Sequence, residues 1–360
     1  MPLKLTRLWL NDFRSYEALE LEPGDGVTIV VGPNAVGKTN IIEAIQLLTS
    51  TVSLRNPQWL DCVRWGAPGA HLKLSASGDK RTTEISLGIS SAGRRTYAVN
   101  GNVRRKLSEV TGIVPSVVFS PDDLRMVKDS AERRRAAIDG VGDQLSGTYL
   151  VLRSEYDRLV KQRNALLKEA TFNEGVMDAL ETRLVEKGTA FSTHRKRLFA
   201  RLSKEVTEAH SRLTDREILR PTYESSWAKW GIGEDEEAAF EKALLSSRVE
   251  ERARRTTLVG PHRDEVRFLL DGRDARVYAS QGQQRTIALA WKLAEVSVIT
   301  SVGGQPPILL LDDVMSELDG SRRQALTTLV GESIQTIVTT TNLGYFESDV
   351  VDKARVVELA

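Results

Sequence analysis

Apolar positions along the chain follow two different periods, and the switch between them marks how it is organised. Leu3, Leu5, Leu8 and Leu10 open a strand pattern that runs to Asn11-Asp12-Phe13-Arg14-Ser15-Tyr16, and a second strand around Leu19 and Leu21 ends at the turn Pro23-Gly24-Asp25-Gly26. The β-branched run from Val27 predicts a buried strand, and the spacing of Ile41, Ile45 and Leu48 predicts a helix soon after it. From His71 to Val103 the period is two: Leu72 and Leu74, then Ile85, Leu87 and Ile89, then Tyr97 and Val99, with a hairpin signal at Asn100-Gly101. This pattern predicts an antiparallel sheet. Val117-Val118-Phe119 predicts one more buried strand, closed by Ser120-Pro121-Asp122-Asp123, where proline and two acids suit a helix start.

After about Met126 strand signals stop and apolar residues recur at helical spacing. Leu152, Tyr156, Leu159 and Leu166 predict one helix, Met177, Leu180, Leu184 and Phe191 a second, and Leu198, Leu202 and Leu213 a third. The spacing resembles a short coiled-coil seam, although ordinary bundle core produces the same stripes. Strand signals return at Thr256-Thr257-Leu258-Val259 and at Val266, Phe268 and Leu270, with a turn at Asp271-Gly272. An apolar helix with Ile287, Leu289, Ala290, Trp291 and Leu293 precedes two buried strands, Ile308–Leu311 and Thr336–Thr341. A helical block thus interrupts two strand-rich halves.

Composition narrows the compartment more than the chemistry. Cys62 is the single cysteine, so an internal disulfide and a cysteine-based zinc site are excluded and a reduced, cytoplasmic setting is expected. No run approaches eighteen uninterrupted apolar residues and the first ten residues lack signal-peptide character, so neither membrane insertion nor secretion is expected. Net charge is +1, from 50 basic and 49 acidic residues, so an anionic partner has to be met by a local patch.

The chemistry starts at Gly32-Pro33-Asn34-Ala35-Val36-Gly37-Lys38-Thr39, a complete G-x-x-x-x-G-K-T phosphate loop between a predicted strand and a predicted helix. Its glycines let backbone N–H groups turn toward an anion, and the following helix offers its positive end. Lys38 is expected to reach the outer phosphates and Thr39 to hold Mg2+. Leu309-Leu310-Leu311-Asp312-Asp313 ends a strand in two carboxylates, with Asp312 expected at the metal and Asp313 toward the γ-phosphate. Ser280-Gln281-Gly282-Gln283 resembles the S-G-G-Q signature of ABC-type ATPases, with Gln281 in place of the first glycine.

Taken with Asn11–Tyr16, Phe119–Leu124, Gly260-Pro261-His262-Arg263-Asp264, Ser280–Arg285 and Leu311–Asp319, these motifs make the whole chain similar to the RecF family, which is related to structural-maintenance-of-chromosomes proteins. The resemblance implies an α/β fold: an ABC-type ATPase head, with a mixed sheet around the P-loop helix plus an antiparallel β subdomain, carrying an inserted α-helical arm. The expected boundaries are 1–125 for the first part of the head, 126–250 for the arm and 251–360 for the second part of the head. It implies ATP and Mg2+ as cofactors, with nucleotide contacts from Arg14, Asn34, Gly37, Lys38, Thr39 and Asn40, and from Ser280, Gly282 and Gln283 acting on the nucleotide of a second subunit. Thr39 and Asp312 are the implied metal ligands, and Lys38 and Asp313 the implied catalytic groups. It further implies an ATP-dependent homodimer, binding without sequence specificity to double-stranded DNA and to junctions of single and double strands, and work with RecO and RecR in loading RecA.

Two departures from the wider ABC pattern predict slow turnover. Asp313 replaces the usual, longer glutamate, and Thr339-Thr340-Thr341-Asn342 lacks the usual switch histidine. Arg94-Arg95, Arg104-Arg105-Lys106, Arg133-Arg134-Arg135, Arg195-Lys196-Arg197 and Arg252 with Arg254-Arg255 are the candidate DNA contacts. His262 is open to either a functional or a structural role. A transporter ATPase subunit, another ABC-type DNA-repair ATPase, a small-molecule kinase and a non-hydrolysing DNA-binding protein are the alternatives. The arm and the missing switch histidine weigh against the transporter, and the serine signature against the kinase.

Overall fold

The structure, a computed structural model, describes residues 2–52, 58–78, 81–169, 173–231, 235–331 and 334–359. In chain order, β1 (Lys4–Phe13), β2 (Tyr16–Leu21) and β3 (Val27–Val31) lead into α1 (Lys38–Thr49). β4 (Gly69–Gly78), β5 (Arg81–Ser90), β6 (Arg95–Val99), β7 (Asn102–Arg104) and β8 (Ser116–Phe119) follow. Next come α2 (Ala131–Leu145), α3 (Gly147–Leu166), α4 (Glu174–Leu213), β9 (Leu219–Glu224), α5 (Glu236–Arg254), β10 (Glu265–Leu270), β11 (Arg273–Asp274) and α6 (Ala275–Tyr278). The chain closes with α7 (Gln281–Gly303), β12 (Ile308–Asp312), α8 (Gly320–Gly331), β13 (Thr336–Thr340), α9 (Ser348–Lys353) and β14 (Arg355–Glu358).

Two compact units result: Met1–Arg125 together with Arg285–Ala360, and Met126–Gln284. In the first unit a five-stranded parallel sheet has the order β14-β3-β13-β12-β8, and an antiparallel sheet has the order β2-β1-β4-β5-β6-β7. Alternation sends Leu8, Leu10, Leu72, Leu74, Ile85 and Leu87 to the inner face of the antiparallel sheet, where they join Val30, Leu310 and Ile337 of the parallel one in a single core. α1 runs through this core and is buried along almost its whole length. That is why KTNIIEAIQLLT carries apolar residues beyond a single stripe: a helix packed on several sides needs them. The hairpin expected at Asn100-Gly101 and the turn expected at Asp271-Gly272 form with positive φ at both residues of each pair, 50° and 77°, and 48° and 78°.

The second unit packs α2–α5 with a small antiparallel sheet, β11-β10-β9. The sequence reading changes here in three places. The second and third predicted helices are one 40-residue helix, α4, because no proline interrupts the segment and Phe191 and Leu198, on either side of the polar run Ser192–Arg197, are both buried. Thr256–Val259 is not a strand: Asn164 and Glu251 side chains accept from the backbone N–H groups of Thr257 and Leu258, so a sheet ladder has no claim on them. This unit also continues past the expected boundary at 250, to Gln284, and takes in β10 and β11.

α7 is the one described helix long and apolar enough to cross a membrane by composition, and 61% of its most apolar window is buried inside the protein. It is a core helix.

Candidate active site

The phosphate loop leaves β3 and enters α1 through Gly37, whose φ of 110° is open to glycine and strained for other residues. A side chain there would also collide with Ser15, whose Oγ lies 2.7 Å from the place of a Cβ. The β1–β2 turn is therefore pressed against the loop. Asn40 Nδ2 donates to Ser15 Oγ (2.9 Å), and Tyr16 Oη is buried beside Gly37 without a hydrogen-bond partner. Lys38 Nζ donates to the carbonyls of Gly32 (2.7 Å) and Pro33 (2.8 Å), so its charge is held over the loop it serves.

Arg14 makes a two-pronged ion pair with Glu43, Nε to Oε2 at 2.9 Å and Nη2 to Oε1 at 2.7 Å, and its Nη1 donates to the carbonyl of Asp61 (2.7 Å). Glu43 is fully buried in α1. Its partnership with Arg14 gives the helix after the loop a fixed neighbour, a role the sequence reading did not assign to either residue. Asn34 is exposed on the loop, ahead of Ala35 with φ 65°.

Strand order sets the carboxylate end of the site. β13 lies between β3 and β12, and across it Thr39 Oγ1 donates to Asp312 Oδ1 at 2.9 Å. Thr339, on β13, donates to the same oxygen at 2.8 Å. Asp312 is buried, so both hydroxyls orient a carboxylate with little water around it. Asp313 follows with φ 51°, a conformation aspartate tolerates better than most residues, and its N–H is held by the carbonyl and hydroxyl of Thr339, each at 3.1 Å. Its Oδ1 is buried with no hydrogen-bond partner among the described residues, and burial raises its carboxyl's pKa, with Lys38 offsetting part of the rise. A carboxylate of raised basicity near a phosphate loop has the character of a proton acceptor.

Ser280 and Gln283 form a reciprocal cap at the start of α7: Gln283 N–H donates to Ser280 Oγ (3.3 Å), and Ser280 N–H donates to Gln283 Oε1 (2.6 Å). Gln283 Nε2 also donates to Glu217 (2.8 Å). Ser280 is exposed, Gly282 is half-buried, and Val277 and Tyr278 just before them are exposed as well. The serine motif lies in the second unit, and the phosphate loop and Asp312-Asp313 in the first. Downstream of Asp313, Ser316 Oγ donates to the Asp313 carbonyl (2.9 Å), Arg285 pairs with Glu317 (3.1 Å), and Arg322 joins Asp319 to Thr286 (2.7 Å). Arg322, Thr286, Thr339 and Glu43 carry no local signature, because each acts through a partner distant in sequence.

Two motifs serve architecture. Asp123 of Ser120-Pro121-Asp122-Asp123 accepts from Ser120 N (2.8 Å) and pairs with the buried Lys292 (3.3 Å). His262 Nε2 donates to the Thr257 carbonyl (3.2 Å), which leaves Nδ1 to accept from Tyr156 Oη (2.6 Å). Burial holds this imidazole neutral, its pKa lowered to about 4. His262 is thus a structural histidine. The arginine clusters divide in the same way: Arg134 (3% exposed) pairs with Glu265, Arg133 with Asp129, and Arg135 donates to the Asp264 carbonyl, so this triplet is not the free basic patch the sequence suggests. Arg195 is buried on Asp139, Lys196 pairs with Glu236, Arg252 with Glu174 and Arg254 with Glu250. Arg94, Arg95, Arg105, Lys106, Arg197 and Arg255 remain exposed.

Residues 4–357 match the family model described as RecF/RecN/SMC N terminal domain. A DNA replication and repair protein RecF from Symbiobacterium thermophilum is 41% identical over 347 residues, covering 94% of this chain and 92% of its own length. Its counterpart from a Synechococcus strain is 38% identical, covering 100% and 96%. A solved structure of the recombination mediator protein RecF with ATP, from the RecFOR pathway, superposes with a TM-score of 0.88 at 30% identity, over 96% of this chain and 94% of that one. An Smc head domain from Pyrococcus furiosus shares the fold alone, at 18% identity and a TM-score of 0.56 over 99% of this chain and 93% of that one. The fold is that of an ABC-type ATPase head, and the chain belongs to the RecF family of DNA replication and repair proteins.

Proposed function

We propose that this chain is a cytoplasmic, ATP-dependent DNA-binding protein of recombinational repair and replication restart, and a slow Mg2+-dependent ATPase stimulated by DNA. The observation that carries the reading is the meeting of Thr39 and Thr339 on one oxygen of Asp312, next to an Asp313 oxygen that is buried and unpartnered. Thr39 and Asp312 offer hard oxygens suited to Mg2+, and no group of three or more His, Cys, Asp or Glu able to hold a metal occurs among the described residues. Such a two-residue set suits an ion that shares its coordination with nucleotide phosphates. When bound, Mg2+-ATP supplies an electrophilic terminal phosphoryl group. The loop N–H groups and Lys38 bind its negative charge, and Asp313 orients a water through Oδ1 and takes up its proton. The short reach of Asp313 is the reason for slow turnover.

Dimerisation on ATP follows from Ser280 and Gly282 acting on the nucleotide of a second subunit. Exposed Val277 and Tyr278 beside the motif give that contact apolar surface to bury. A dimer doubles each remaining basic patch and clamps duplex DNA at gaps or junctions, with hydrolysis as the timer of release. By family, RecO and RecR are its partners in loading RecA.

Sedimentation velocity with ATP, ADP or no nucleotide, with and without a gapped duplex, tests the proposal. It expects a dimer with ATP alone, shifted further by the duplex. A monomer in all conditions, or DNA binding indifferent to nucleotide, overturns it.

A further inference from the structure

Glu217 stands in the irregular link between α4 and β9, 66 residues before Gln283, and its carboxylate accepts from Gln283 Nε2 at 2.8 Å. Both residues belong to the second compact unit. The link is anchored on both sides of Glu217. Before it, Arg216 N–H donates to Thr214 Oγ1 (3.2 Å). After it, Ile218 N–H donates to Asp271 Oδ1 (2.8 Å), Asp271 N–H returns to the Ile218 carbonyl (2.9 Å), and Thr207 Oγ1 of α4 donates to the Leu219 carbonyl (3.1 Å). Glu217 itself is half-buried, so the helical unit offers its carboxylate to the serine motif from a fixed point.

That contact fixes the Gln283 amide in one orientation. Its Oε1 accepts from Ser280 N–H (2.6 Å) while its Nε2 faces Glu217. Turned over, the amide would set donor against donor at Ser280 and acceptor against acceptor at Glu217. Glu217 therefore favours the orientation in which the cap at the start of α7 closes. In the closed cap Ser280 Oγ accepts from Gln283 N–H (3.3 Å), which leaves the hydroxyl proton for an acceptor outside the helix. Ser280 is exposed, and no hydrogen bond donated by its hydroxyl is present among the described residues. Gln284 Nε2 donates to the Ala279 carbonyl (2.7 Å), so the residue before the serine is held as well. A donor fixed in place before its anion arrives has less order to lose on contact.

We infer that Glu217 is a positioning residue for the serine motif: it locks the Gln283 amide and, through it, keeps the Ser280 hydroxyl available as a donor to the terminal phosphate of a nucleotide on a second copy of this chain. The inference rests on the ATP-dimer reading above and adds to it a residue that no motif marks. Charge is not what Glu217 contributes. A carboxylate close to a phosphate subsite repels the anion, so its value lies in accepting the Gln283 hydrogen bond, and a neutral acceptor of the same shape serves as well.

The test is sedimentation velocity of the full chain with ATP over a range of protein concentrations, for the wild type, E217A, E217Q, Q283A and the E217A Q283A double variant. A fluorescent ATP analogue, titrated where the chain is monomeric, reports the chain's own phosphate loop. E217A should raise the dimer dissociation constant by about a hundredfold, about tenfold for each of the two motifs in a dimer. Its monomer ATP affinity and unfolding midpoint should match the wild type. E217Q should dimerise within about twofold of the wild type, and the double variant within about twofold of Q283A alone. E217A that dimerises like the wild type overturns the inference. So does E217Q as weak as E217A, which would make the charge the active feature, and so do additive losses in the double variant, which would place the action of Glu217 elsewhere. A midpoint lowered in E217A assigns Glu217 to the fold instead and overturns it too. A wild type that stays monomeric with ATP removes the dimer reading and this inference with it, whereas a dimerising wild type beside an indifferent E217A removes the role of Glu217 alone.

Discussion

The two compact units of this protein put their buried polar groups to different uses. The first surrounds an almost wholly buried helix, α1, with the inner faces of two sheets, and at the strand ends Thr39 and Thr339 meet on Asp312. The second is threaded by buried ion pairs, Arg163 between Glu181 and Glu251 and Arg195 on Asp139, with Arg195 also donating to the Pro261 carbonyl and neutral Tyr156 to neutral His262. The Gly260–Asp264 motif ties that network together. Gly260 takes φ 132°, and a Cβ there would fall 2.2 Å from Tyr156 Oη. The phosphate loop thus leads to the carboxylate at the end of β12, while the equally conspicuous Gly260–Asp264 motif serves assembly. An arginine cluster read from sequence does not reveal which of the two it serves.

Predictions that sharpen this contrast begin with the ions. Arg163→Ala leaves the buried Glu251 without its cation, while Glu181 keeps Arg248, and Arg195→Ala leaves Asp139 without its cation, so each should cost about 3–5 kcal/mol in denaturant unfolding. A loss below about 1 kcal/mol would show that these pairs do not organise the second unit. Next, Lys38→Met should weaken binding of a fluorescent ATP analogue by about a hundredfold, in keeping with about 3 kcal/mol for a charged hydrogen bond, with its unfolding midpoint kept. Equal affinity would remove the phosphate-loop assignment.

Smaller effects follow. His262 stays neutral in the folded state down to about 4, held there by burial, with Arg263, Arg135 and Arg195 adding to the shift. The unfolded chain takes up this proton near pH 6.5, so stability should fall as pH drops from about 6.5 toward 4, by up to about 1.4 kcal/mol per unit. His262→Asn should flatten that slope, and an identical slope in both proteins would refute the assignment. The smallest expected change concerns DNA: Arg133→Ala removes a partly exposed pair with Asp129, so the salt dependence of binding should stay within its error. A slope lower by about one unit would restore the triplet as a phosphate contact.

What could be read from sequence divides along the same line. The phosphate loop, the paired aspartates and both hairpin turns depend on neighbours in sequence, so residue type and spacing specify them. The irregular path of Thr256–Val259 and the burial of Arg134 depend on Asn164 and Glu265, which lie far away along the chain. Thr339 shows both cases at once. Its strand was legible from β-branched residues, whereas its hydroxyl on Asp312 follows from strand order alone.

The site's central claim is that Asp312 holds the metal while Asp313 handles the water, and single-turnover hydrolysis of Mg2+-ATP by Asp313→Asn tests it most directly. The expected result is ATP affinity and dimerisation as in the wild type, with the hydrolytic step slowed by about a hundredfold or more and a correspondingly longer-lived dimer. Hydrolysis at the wild-type rate would contradict the assignment of Asp313 and, with it, the slow-timer reading of this protein.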